Sequence, residues 1–90
     1  VMSVWWSASG TIVVSKNAHV SISKLLQEFA ECVRVNKTYD FQDIFKYRVE
    51  FSSTGENITA AKQVDQILNK LLELDSSAIF DLDANIRFIN

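Results

Sequence analysis

Apolar and polar positions alternate from Phe45 to Ser52 without a break, so an extended chain puts Phe45, Tyr47, Val49 and Phe51 on one side and Lys46, Arg48, Glu50 and Ser52 on the other. This predicts a strand with one apolar face. The same period of two runs through Phe80, Leu82, Ala84, Ile86 and Phe88, predicting a final strand over 78–89. Asp83-Ala84-Asn85 offers a hairpin turn there, but the unbroken parity favours one strand. Near the start, Val4, Trp6, Ala8, Gly10, Ile12 and Val14 take the even positions, and Ser7, Ser9 and Thr11 the odd ones. One bent strand over 3–14 is favoured, with Ser9-Gly10 as a bulge or a tight turn that would split it.

Two helix patterns separate these strands. Ile22, Leu25, Leu26, Phe29 and Val33 recur at spacings of three and four, predicting a helix over 21–34 with Ser21 as its cap and Val20 packed on Leu25 as a hydrophobic staple. After the turn residues Ser52-Ser53-Thr54-Gly55, Asn57 caps a second helix whose inward face is Ile58, Ala61, Val64, Ile67, Leu68, Leu71 and Leu72; Asp75-Ser76-Ser77 ends it. Between 35 and 44 the periodicity fails, which reads as a loop with room for a short edge strand over 38–41. Tyr39 and Phe41 in that stretch are expected to be buried.

The order is strand, helix, strand, helix, strand, and both helices need the same apolar sheet face. The expected fold is α+β: a two-layer sandwich, mainly an antiparallel sheet of three or four strands, with both helices on one side. A modified ferredoxin-like arrangement needs a fourth strand, supplied by the 38–41 segment or by a split terminal strand.

Length and composition add limits. The 90 residues make a single domain, 2–90, with Val1 read as an expression remnant ahead of the natural start at Met2. Hydrophobic residues make up 48% and aromatics 11%, a globular composition rather than a disordered one. Nine basic against eleven acidic residues leave a net charge of -2, too little to draw a phosphate backbone, so nucleic acid is not an expected partner. The single cysteine, Cys32, cannot form an intramolecular disulfide, which suits a reducing, cytoplasmic setting. No apolar run approaches the roughly 20 residues of a membrane span, and no signal-peptide layout opens the chain, so no membrane association is expected.

Few residues suggest chemistry. Asp81-Leu82-Asp83-Ala84-Asn85 resembles the opening of a calcium loop, but Ile86 stands where such a loop needs glycine, and an outward polar row on a strand is the expected meaning. Cys32 and His19 are each unique; Cys32 falls beside the apolar stripe of the first helix, as an inert packed thiol would. Gly10 and Gly55 stand alone and build no phosphate cradle. No catalytic, cofactor or metal residues are therefore assigned. Lys46, Tyr47, Arg48 and Phe51 superficially match an RNA-binding sheet, yet parity turns both aromatics inward.

Two features point to protein contacts. Trp5 shares the parity of Ser7, Ser9 and Thr11 on the open face, where an indole makes a contact anchor unless twist, a bulge or a dimer mate buries it. Glu73, Asp75, Asp81 and Asp83 gather negative charge around the end of the second helix and the start of the last strand, a place for a basic partner. The expected function is a non-enzymatic protein-binding domain, either an intracellular adaptor or a compact phage or mobile-element inhibitor of a host enzyme. The alternative is a dimeric small-ligand sensor or regulatory module, which needs a homodimer to form its site.

Overall fold

A computed structural model describes residues 3–53 and 58–89, with side chains placed over 6–52 and 62–85. Six main elements follow one another: β1 (Ser3–Ser15), α1 (His19–Glu28), β2 (Val33–Asp40), β3 (Ile44–Ser53), α2 (Ile58–Leu74) and β4 (Ile79–Ile89), with a 3-10 turn over Lys16–Ala18 leading into α1. The strands form one sheet in the order β2-β3-β1-β4, antiparallel at every neighbouring pair. This β-α-β-β-α-β connection is the ferredoxin-like split βαβ, with β2 as the fourth strand.

Parity decides which side is inside. Ala8, Ile12 and Val14 of β1 and Tyr47, Val49 and Phe51 of β3 are buried against Ile22, Leu25 and Leu26 of α1 and Val64, Ile67 and Leu71 of α2. Each large side chain buried in this layer contributes about 1.5–3 kcal/mol. Phe80 and Leu82 continue the inward row on β4 as partly buried neighbours of the core, but the row fades at the edge, where Ala84 is exposed. β1 and β4 are each one strand, and the register of β1 with both neighbours is continuous through Ser9 and Gly10, without a bulge. Gly10 instead permits a close approach: its φ is 154°, and a Cβ there would overlap the carbonyl oxygen of Asp81 on β4.

The first helix differs from its expected form. It starts at His19 with Ala18 in the cap position and ends at Glu28, so Ser21 is an exposed residue inside the helix rather than its cap. Val20 is 56% exposed, which removes the staple on Leu25. Val33 is buried as expected, but as the first residue of β2. The stretch read as a loop is mostly this eight-residue edge strand, with a register shift between Val35 and Lys37 where Asn36 is the extra residue. Phe41, just beyond it, is half exposed, and Leu72 on α2 is also exposed. The Asn57 cap, and the inward positions Ile58, Ala61, Ile86 and Phe88, fall on residues or side chains outside the described set.

Polar groups lock the two helix junctions. The Tyr47 hydroxyl, carried inward by β3, donates to the His19 carbonyl at 3.0 Å and pairs with the Ser23 hydroxyl at 2.8 Å, tying the sheet to the first turn of α1. Phe45 stacks on the His19 ring at 4.6 Å beside them. At the far junction, Asp75 accepts from the backbone N–H of Ser15 at 2.6 Å and from the N–H and hydroxyl of Ser77 at 3.0 and 2.6 Å.

Candidate functional site

The helices cover one side of the sheet, and the side chains of opposite parity form the other face. Cross-strand register arranges that face in rows running β2, β3, β1, β4. One row is Tyr39, Lys46, Val13 and Ile79; the next is Lys37, Arg48, Thr11 and Asp81; the next is Arg34, Glu50, Ser9 and Asp83. Ser52, Ser7 and Asn85 continue the series toward Trp5 and Arg87. Every charged residue in the first three rows except Lys46 is exposed, and Lys46 is half-buried.

The face has a polarity from edge to edge. In the three rows, Arg34, Lys37, Lys46 and Arg48 put four positive charges on β2 and β3, with Glu50 as the one opposing charge there, whereas β4 carries Asp81 and Asp83, and Arg87 lies farther along that strand. The ion pair formed among the described residues lies elsewhere, between Lys16 and Asp40 at 2.6 Å, at an exposed site where such pairs add little stability. The charges of the uncovered face are thus available to an outside partner. Tyr39 adds an aromatic: the Lys37 and Lys46 ammonium groups stand 5.1 and 5.5 Å from its ring centre. Ile79, at the opposite end of its row, is 63% exposed.

Apart from Trp5, the expected contact residues separate into three groups. Ser7, Ser9 and Thr11 do share the open face, and Asp81 and Asp83 join them there as direct cross-strand neighbours. Glu73 is exposed on α2, in the other layer, so the four acidic residues do not make one patch. Asp75 stands apart from both. It is buried, and the Ser77 hydroxyl first, then the Ser15 N–H, hold its carboxyl below the usual carboxylate range; it is a structural clasp between β1 and the end of α2, not a docking charge. The expectation for Trp5 falls on a side chain outside the described set.

Lys37, Arg34 and Ile79 were not singled out by the sequence pattern, and Tyr39, expected to be buried, is half-buried on the open face. Arg34 falls in the stretch expected to be the end of the first helix; for the other β2 members the bulge at Asn36 is the reason, since one extra residue reverses the parity, so Val35 faces the helix side while Lys37 and Tyr39 face out.

Other chemical groups are dispersed. His19 opens α1 and Cys32 follows its end, so the ten-residue helix, about 15 Å long, separates imidazole from thiol. Burial pushes the Cys32 thiol above its ordinary pKa, and the thiol donates to the Phe29 carbonyl at 3.4 Å. The side chain is partly buried against the core, in line with its place beside the apolar stripe. Asp81, Asp83 and Asn85 sit on a strand as an outward polar row, not in a cation-wrapping loop, and no cluster of three metal-ligating side chains occurs among the described residues. No helix of the described residues is long and apolar enough to cross a membrane.

No protein-family model and no curated protein sequence matches the chain. Solved structures share its fold. The uncharacterized protein TM1266 from Thermotoga maritima superimposes with a TM-score of 0.58 at 13% identity, covering 97% of this chain and 95% of that one. The C-terminal domain of the MgtC protein from Mycobacterium tuberculosis aligns with a TM-score of 0.50 at 4% identity, over 96% of this chain and 88% of that domain. At such identities the likeness extends to the backbone architecture alone.

Proposed function

We propose that the chain is a non-enzymatic protein-binding domain whose contact surface is the uncovered face of its sheet. The observation that carries this reading is the division of that face into a basic half on β2 and β3 and an acidic edge on β4, with Tyr39 and Ile79 at its flanks. Complementary charge steers encounter and fixes register, and an aromatic flanked by cations gives a contact centre with few rotamers to freeze. An adaptor uses such a face to hold one protein near another; an inhibitor uses it to occlude an enzyme surface. The test is retention of proteins by the immobilised chain. Arg48→Glu with Asp83→Arg is expected to lose a stoichiometric partner while the thermal midpoint stays unchanged. Retention of every partner by that variant would defeat the reading.

One observation favours a small-ligand regulatory module of a different form from the expected one, with its site inside a single chain rather than at a dimer interface. A cavity of about 290 Å³ opens between α1 and β2, its apolar lining including Ala30, Val33 and Val35 and its hydrogen-bonding groups coming from Ser23, Gln27, Thr38 and Tyr47. Its size sits at the lower bound for small-molecule sites. A metabolite that raises the melting temperature of the native chain, but not of Ala30→Trp, would support this reading; no shift from a broad metabolite panel would remove it.

A further inference from the structure

Resting on the protein-binding reading above, we propose that the partner of the uncovered face is a second copy of this chain, stacked face to face about a two-fold axis parallel to the strands. Such an axis reverses the order of strands across the sheet and keeps each row at its own height. It therefore lays β2 of one copy over β4 of the other, and β3 over β1. In the three rows, Arg34 meets Asp83, Lys37 meets Asp81, and Tyr39 meets Ile79. Each contact occurs twice, as an isologous interface requires. The basic half covers the acidic edge, and the flanking aromatic covers the most exposed large aliphatic residue of the described set.

Competing arrangements lack this match. A two-fold axis across the strands places β2 on β2, facing Arg34 and Lys37 with their own copies. Pairing through the β2 edge brings the same like charges together, on a strand whose ladder the Asn36 bulge already interrupts. The area is also sufficient. Four strands about 4.8 Å apart and about ten residues long give a face of roughly 600 Å², so full overlap buries about 1,200 Å² in total, within the range of a specific interface. Packed sheets rotate by about 30°, which moves the outer strands by about 4 Å, less than one row.

Sedimentation of the native chain tests the assembly. The expected species has twice the 10.2 kDa chain mass and dissociates as salt is raised. Asp81→Arg with Asp83→Arg makes both edges basic, and Arg34→Glu with Lys37→Glu makes both acidic; each variant alone is expected to be monomeric. Mixed together they should form a one-to-one dimer, because every facing pair is again of opposite sign. In a Cys32→Ser background, mixed Lys37→Cys and Asp81→Cys chains should form the 37-to-81 disulfide. Links of 37 to 37 or 81 to 81 would show edge pairing and overturn the proposal. A native chain that stays monomeric at millimolar concentration would also overturn it, as would a monomer that shifts a labelled RNA through Lys37 and Tyr39. The protein-binding reading survives those results if the two charge variants lose a protein that the native chain retains, and falls if they do not.

Discussion

The two faces of the central strands share one backbone and have opposite chemistry. On β3, Tyr47, Val49 and Phe51 are all but inaccessible to solvent, while their direct neighbours Arg48 and Glu50 are exposed. On β1, Ile12 is fully buried between Thr11 and Val13, both partly open. The inner row is fixed by packing against α1 and α2, where volume and shape decide. The outer row carries no such constraint, so its residue types are free to specify a partner. Stability and the proposed recognition are thus separated by one step along the chain.

Substitutions sharpen this contrast. Phe51→Ala removes a fully buried ring and is expected to cost about 3–5 kcal/mol in denaturant unfolding. Asp75→Ala strips the Ser15 N–H of its acceptor and is expected to cost about 2 kcal/mol, within the range for a buried donor left unpaired. Its pH dependence has a definite sign. The folded-state carboxyl is held low by Ser77 and Ser15, so its stabilisation is complete above an ordinary aspartate pKa of about 3.9. That contribution is lost as pH falls through the lowered folded value. The native protein should therefore lose its margin over Asp75→Ala in acid, as parallel melts at neutral and acid pH would reveal.

Gly10→Ala is expected to cost more than about 1 kcal/mol, because the new methyl group forces β4 away from β1. Weaker amide protection along β4 would report that movement. Tyr47→Phe deletes the hydroxyl that joins β3 to His19 and Ser23, for about 1 kcal/mol. Arg48→Glu, one residue away and facing out, should change the unfolding free energy by no more than about 0.5 kcal/mol. A large loss there would break the division between the two faces. Ser21→Ala belongs with it, since an exposed first-turn serine that is not the cap has no cap bond to lose.

The inner face was legible because its signals agree. Tyr47, Val49 and Phe51 alternate with charged residues, and Val64, Ile67 and Leu71 repeat at helical spacing; each pattern admits one conformation. The junction of α1 with β2 was not legible, because Phe29 and Val33, four apart, fit a continuing helix as well as a turn followed by a strand. The bulge at Asn36 then scrambles the alternation of β2, hiding the strand and the outward direction of Tyr39 together. Asp75 misled for another reason. Its value lies in a bond to Ser15, 60 residues earlier, and no local pattern announces so distant a partner.

That distance also bears on how long the folded protein persists. Joining Ser15 to Asp75 requires β1 and the end of α2 to be in place together, a closure across 60 residues that costs chain entropy, so the bond is expected to form late in folding. Bonds made on the native side of the barrier set the rate of opening rather than the rate of assembly. Loss of the carboxylate should hasten unfolding in a denaturant jump and leave refolding speed almost untouched, making one aspartate the timekeeper of the native state.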